Sequence, residues 1–231
     1  MPAAWLFWLA RGPEGVVLVD TGFSDAEVVR RWRIEDHASP VERLAAVGVS
    51  PPQVTDVILT HAHWDHIGGL APYRLATVWM QRAEFDHAVA AVGPERPEAH
   101  GIRWSDVRRL LEIEREGRLR LVDGVATVAP GIEIRKAGSH TPGIQYAVVR
   151  GEDGPVVLAG DTSYFYFNHQ RRRPTGAARD GAAELAAFEA MTLRVASPFL
   201  LLPGHDPRVL RWFPSSRQGV ARISLRALGE R

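Results

Sequence analysis

The sequence predicts an α/β fold in which sheets are stacked and flanked by helices, and three features carry that prediction. Short β-branched apolar runs alternate with stretches of helical period. They do so in two blocks, a mixed helix and strand first half and a strand-rich second half, a pattern that suits stacked sheets covered by helices. Polar segments containing glycine follow several of the strands, where loops gather around a site.

In chain order, residues 5–10 and 16–20 are apolar runs on either side of Arg11-Gly12-Pro13-Glu14-Gly15, which reads as a hairpin loop. A helix over about 24–33 starts at Ser24 as its N-cap, and a second over 40–47 stops at Gly48. A strand over 57–60 leads into a histidine-rich segment. Beyond it come a strand over 77–81 and helices over 83–91 and 105–116. Strands are then expected at 119–122, 132–136, 144–149 and 155–159, followed by a helix over 182–195 and a strand over 199–202. No internal repeat or low-complexity linker interrupts this order, so residues 1–231 are expected to form one domain.

Composition narrows the function classes. With 45% hydrophobic and 24% charged residues the chain implies neither disorder nor a membrane span. A formal net charge of +1 gives no global footprint for nucleic acid, and the local cluster Arg171-Arg172-Arg173 reads as a solvated loop. Cysteine is absent, which excludes disulfides and thiolate metal sites and leaves His, Asp and Glu to hold any metal. The apolar run near the amino terminus is too short for a signal segment or a bilayer span, so a cytoplasmic location is the default.

Thr60-His61-Ala62-His63-Trp64-Asp65-His66-Ile67-Gly68-Gly69 concentrates three imidazoles and a carboxylate just past a strand. Such groups are costly to bury unless each finds a partner, so a packed core does not call for them. Three further ligating residues follow strand-like runs with glycine close by. They are His140 in Gly138-Ser139-His140-Thr141-Pro142-Gly143, Asp161 in Gly160-Asp161-Thr162, and His205 in Pro203-Gly204-His205-Asp206. Glycine lets the backbone come close to a ligand or take positive φ. Together the five histidines and two aspartates suffice for two metal ions sharing a bridging ligand, a pair suited to hydrolytic chemistry. His61 and His63 alternate along an extended segment and can face one side, while the turn brings in Asp65 and His66 from another.

These motifs, in this order and over about residues 16–205, resemble those of the metallo-β-lactamase superfamily. The resemblance implies a four-layer αββα sandwich with the metal site at the edge of the sheets. It implies that His61, His63 and His140 bind one metal and Asp65, His66 and His205 the other, with Asp161 bridging. Asp20, in Val19-Asp20-Thr21-Gly22, matches an early strand-end aspartate and is expected to orient the ligand loop. Zinc is the default metal, with manganese, iron or cobalt as alternatives for the same donors.

Within that superfamily the absence of cysteine excludes a thiolate zinc β-lactamase site. The short stretch after His205 does not hold the helical substrate domain of glyoxalase II, and neither length nor charge suits the nucleases. What remains is similar to the N-acyl homoserine lactonases and 4-pyridoxolactonases, with Tyr164 standing three residues after Asp161 in an aromatic run that continues through Tyr166 and Phe167. This resemblance implies a quorum-quenching hydrolase that opens a lactone by attack of a metal-bridging hydroxide. Tyr164 would donate to the carbonyl or the leaving alkoxide, and Asp65 would pass it a proton. Trp64 and Phe167 are expected at the substrate pocket, although packing explains Trp64 equally well.

Relatives carry a longer amino-terminal segment, so part of the pocket wall is expected to be missing or differently built. Other members of the superfamily, acting on esters, thioesters or phosphotriesters, remain as alternatives, as does a metal-binding scaffold without turnover. The expected partner is a small lactone or ester, with no nucleic acid and no membrane. Aromatic runs at residues 5–8 and 211–213 suit either core packing or a homodimer interface.

Overall fold

A computed structural model describes residues 2–12 and 15–226. The first sheet has the order β1-β2-β3-β4-β7, from strands β1 (Trp8–Gly12), β2 (Gly15–Val19), β3 (Val54–Ile58), β4 (Thr77–Gln81) and β7 (Leu119–Val122). Its β1–β2 edge is an antiparallel hairpin and its other pairings are parallel. A two-stranded ribbon, β5 (Glu98–Ala99) and β6 (Ile102–Arg103), lies between β4 and β7 in the chain. The second sheet has the order β12-β11-β10-β9-β8, from β8 (Val125–Ala129), β9 (Ile132–Lys136), β10 (Gln145–Gly151), β11 (Gly154–Leu158) and β12 (Leu201–Leu202). It is antiparallel except for β11 with β12.

Helices α1 (Ala26–Arg31), α2 (Pro40–Ala46), α3 (Trp64–Ile67), α4 (Arg82–Ala91) and α5 (Trp104–Arg115) belong to the first half, and α6 (Tyr166–Arg171), α7 (Gly181–Thr192) and α8 (Arg208–Trp212) to the second. None of the helices among the described residues is long and apolar enough to cross a membrane.

Strand alternation divides the buried side chains into three cores, and three cores between layers make four layers. Val17, Val19 and Ile58 turn inward to meet Ile134, Ala147, Val156 and Leu158 of the second sheet. Their neighbours Leu18, Val57 and Leu59 turn outward and pack with Leu44 of α2, Phe85 of α4 and Leu110 of α5. On the far side of the second sheet, Tyr146, Val157 and Leu201 meet Ala187, Phe188 and Met191 of α7. Burial on both faces is why β2 reads as the unbroken apolar run Val16-Val17-Leu18-Val19 instead of alternating with polar residues. The outcome is the α/β four-layer sandwich expected from the sequence.

Several local expectations are corrected. The first strand starts at Trp8, because Ala4 is held instead by a backbone bond to His205 O at 2.9 Å. Pairing of Gly12 with Gly15 makes the hairpin, while Pro13 and Glu14 lie outside the described residues. Asp25, not Ser24, caps α1, its Oδ1 accepting from Glu27 N at 2.8 Å. Helices α6 and α8 and strand β8 were not anticipated. The arginine cluster 171–173 is exposed as expected, and Arg172 pairs with Glu189 at 2.7 Å.

One end of the sandwich differs from the rest. There the two sheets are joined by amides, with Gln145 N bonding Thr60 O at 2.9 Å, Gln145 Nε2 bonding Leu59 O at 2.8 Å, and Gln81 Nε2 bonding Gln145 Oε1 at 2.8 Å. Strands β2, β3, β11 and β12 all end there, and the loop entering β10 arrives there.

Candidate metal centre

The strand ends deliver the seven ligating residues to one place. Ligand atoms of His61, His63, His140 and Asp161 lie within 4.8 Å of one another, and so do those of Asp65, His66 and His205. Asp161 joins the two groups. Its Oδ2 faces His61 Nε2 at 3.6 Å and His140 Nε2 at 3.5 Å, while its Oδ1 faces His66 Nε2 at 3.1 Å and His205 Nε2 at 2.9 Å. Asp65 Oδ2 stands 3.5 Å from His66 Nε2 and 3.7 Å from His205 Nε2.

Local structure explains how one short segment serves both groups. His61 and His63 follow the end of β3, and His63, extended at φ −70° and ψ 149°, forms the N-cap of the single-turn helix α3. That turn carries Asp65 and His66 to the other group. Gly160, at φ +52°, lets the chain turn into Asp161, and a Cβ there would come within 2.9 Å of the Thr60 side chain.

Four imidazoles have their outer nitrogen committed. His66 Nδ1 donates to Asp20 Oδ2 at 2.8 Å, His140 Nδ1 to Ala177 O at 3.2 Å, and His205 Nδ1 to Ala4 O at 2.9 Å. Thr60 Oγ1 donates to Asp20 Oδ2 at 2.9 Å and so accepts from His61 Nδ1 at 3.1 Å. Each bond fixes a tautomer that leaves Nε2 free to ligate. Asp20 also accepts from Thr60 N at 2.7 Å, so this one carboxylate holds the start of the loop and both His61 and His66. It does so at φ +62°, an uncommon conformation for a residue with a Cβ.

Several inward atoms, His61 Nε2, His66 Nε2 and Asp161 Oδ1 among them, are buried with no hydrogen bond of ordinary geometry among the described residues, and His63 Nδ1 faces His140 Nε2 at 3.1 Å. Buried polar atoms are rarely left this way, and this donor set of imidazole and carboxylate is the one that divalent transition metals take. The residues therefore fit a pair of divalent cations.

Charge is divided unevenly within the cluster. Burial, reinforced by neighbouring imidazoles, pushes His61 well below the usual histidine value and His63 down to about 4. Burial also lowers His140. For His66 and His205 burial acts in the same direction, but the carboxylates led by Asp161 outweigh it and raise both. Burial would raise Asp161, yet the surrounding His205, His66 and His61 hold it well below the ordinary carboxylate range.

Tyr164 closes the site. Its ring lies 5.7 Å from that of His140 and 5.1 Å from that of His205, and burial together with the Asp161 and Asp65 charges raises its pKa. The phenol therefore stays protonated as a donor. Trp64 is half-buried on α3, 5.0 Å from the Phe23 ring and 6.1 Å from Trp32, with Arg103 above it. Phe167 is 51% exposed on α6, between the buried Tyr166 and Asn168. Residues 4–5 run beside His205 and Phe23, so the amino-terminal segment lies against the ligand cluster.

His169, outside the ligand set, is buried, its Nδ1 2.9 Å from Ser163 Oγ, and burial takes its pKa down to about 4. Sequence reasoning missed Thr60, Glu84 and the carbonyls of Ala4 and Ala177. Thr60 alone carried a signal, as a hydroxyl next to the first histidine.

Comparison with known proteins agrees with this architecture. A family model described as the metallo-beta-lactamase superfamily matches residues 3–205. An N-acyl homoserine lactonase from a Bacillus species is 27% identical over 183 residues, covering 72% of this chain and 67% of its own. Another, from Azorhizobium caulinodans, is 26% identical over 227 residues, covering 87% and 81%. The crystal structure of a quorum-quenching N-acyl homoserine lactone lactonase superposes with a TM-score of 0.71 at 24% identity, over 87% of this chain and 79% of that one.

Proposed function

The chain belongs to the metallo-beta-lactamase superfamily, and from that membership we propose that it is a hydrolase using two divalent metals to open lactone rings, with N-acyl homoserine lactones as the substrate class. The observation that carries the reading is Asp161, whose two oxygens face two separate histidine groups. Sequence relatives that are themselves N-acyl homoserine lactonases support the substrate class. A quorum-quenching role follows from that substrate.

His61, His63 and His140 would hold one cation, Asp65, His66 and His205 the other, with Asp161 between the two groups. Two such cations, zinc by default for this nitrogen-rich set, supply Lewis acidity toward the carbonyl and make water nucleophilic near neutral pH. The protein's own groups do the rest. Tyr164 keeps its proton and donates a hydrogen bond to the carbonyl oxygen as negative charge develops there. Asp65, at the mouth of the second group, accepts a proton from the attacking water. It returns that proton to the ring oxygen when the carbon–oxygen bond breaks. Trp64 and the aromatic rings around it offer an apolar wall to the acyl part, and Phe167 lies farther out.

Hydrolysis of a graded series of N-acyl homoserine lactones, a plain γ-lactone, a thioester and a phosphotriester by metal-analysed protein tests this. Preferential opening of the acylated lactones with about two metals per chain is expected. Equal or better turnover of the phosphotriester or thioester would sink the substrate assignment.

A further inference from the structure

Glu84 is a carboxylate with no role in the ligand set, yet it is completely buried beside it. It stands in the first turn of α4, where an acidic side chain normally faces solvent and favours the positive end of the helix. Here it turns inward and takes three donors from two loops. Its Oε1 accepts from Ala62 N at 3.0 Å, and its Oε2 accepts from Thr141 Oγ1 at 2.6 Å and Gly143 N at 3.0 Å. Ala62 separates His61 from His63, and Thr141 follows His140. Gly143 is needed for the approach, since a Cβ on it would lie 2.1 Å from Glu84 N.

We propose that Glu84 is a positioning residue that sets the spacing of His61 and His63 relative to His140, by tying their two loops to one buried carboxylate. The inference rests on the two-metal reading above and adds a selectivity to it. Among the described residues, no Glu84 bond reaches the turn of α3 that carries Asp65 and His66 or the loop that carries His205; His66 and His205 are held instead by Asp20 and by Ala4 O. Loss of the tie therefore loosens one cation site and spares the other. In Glu84→Gln the amide N–H must face either Ala62 N–H or Gly143 N–H, so at least one donor loses its acceptor whichever way the amide turns. Thr141→Val removes only the hydroxyl bond and leaves the two backbone bonds in place.

The test is an equilibrium zinc titration of the full chain against a chromophoric chelator, with His140→Ala as a control that removes one ligand of the first group. Wild type is expected to fill two sites. Glu84→Gln is expected to weaken one of them by about 10- to 100-fold, the range found for residues that orient ligands, leaving a surviving site like that of His140→Ala. Thr141→Val shifts the same site less, and it serves as the test if Glu84→Gln does not fold. Two sites of wild-type affinity in these variants, or equal weakening of both sites alongside a lowered Tm, would overturn the proposal while leaving the two-metal reading intact. A wild-type chain that takes up no zinc would overturn both.

Discussion

Asp20→Asn is the sharpest single perturbation, because it keeps size and shape and removes only one acceptor from a hub of three donors. Those donors are Thr60 N at 2.7 Å, Thr60 Oγ1 at 2.9 Å and His66 Nδ1 at 2.8 Å. The amide has two orientations. With its nitrogen toward Thr60 N, a buried N–H loses its acceptor, at a cost of about 1–3 kcal/mol. With its nitrogen toward His66 the clash is relieved if the imidazole moves its proton from Nδ1 to Nε2. That is the cheaper answer for the fold and the damaging one for the site, since Nε2 is the atom aimed at Asp161 Oδ1 from 3.1 Å. The disturbance passes to His61 as well, through Thr60 Oγ1.

The expected result is a folded variant whose two zinc sites both weaken by about 10- to 100-fold, roughly 1.4–2.8 kcal/mol each. The loss is read in the same chelator competition, and the histidine tautomers are read from ring nitrogen chemical shifts. Weakening at both sites contrasts with the one-sided effect assigned to Glu84. An Asp20→Asn chain holding both zincs at wild-type affinity would refute the idea that this carboxylate orients the ligand loop.

Tyr164→Phe removes a donor while leaving all seven candidate ligands in place, so turnover should fall by about 10²- to 10³-fold while metal content stays at the wild-type level; loss of metal in this variant would mean that Tyr164 supports the cluster instead. Asp161→Asn should abolish turnover and metal pairing together, since both oxygens are in use, and lactone hydrolysis at the wild-type rate would contradict the assigned chemistry. Chelation should lower Tm, because a ligand present at about 1,000 times its Kd stabilises by about 4 kcal/mol; an unchanged melting curve in excess chelator would argue against a resident metal. Phe188→Ala, in the outer core between α7 and the second sheet, should cost about 3–5 kcal/mol in denaturant titration with both zinc sites kept.

The parts of the fold legible in the sequence were those where a single physical signal dominates. Strands β4, β7 and β9 begin and end as expected because apolar alternation stops at polar or glycine residues. Helix α2 ends just before the glycine that marked its stop, and in the structure Ser39 and Glu42 form a reciprocal cap at its start. The misses lie where tertiary contacts outweigh local preference. Residues 5–7 have strand composition, yet the pull of His205 on Ala4 keeps them out of the sheet. Helix α6 begins in an aromatic run with little helical propensity and is held by Asp206 Oδ2, which accepts from Tyr166 N at 3.0 Å.

The same division runs through the site. A candidate metal ligand must be one of a few residue types, so the seven residues that the structure gathers could be singled out in the sequence by type and spacing. What holds them in place has no such restriction. Ala4 and Ala177 act through backbone carbonyls, which any residue supplies, and their side chains say nothing about the role. Glu84 has the right chemistry in a misleading place, since a glutamate opening a helix is ordinary on the surface. Only the packing of the Thr141–Gly143 loop onto the start of α4 takes that carboxylate out of water. A buried acid holding three donors from two loops is therefore the kind of site residue that a single sequence hides, and the one for which a conservative substitution is most informative.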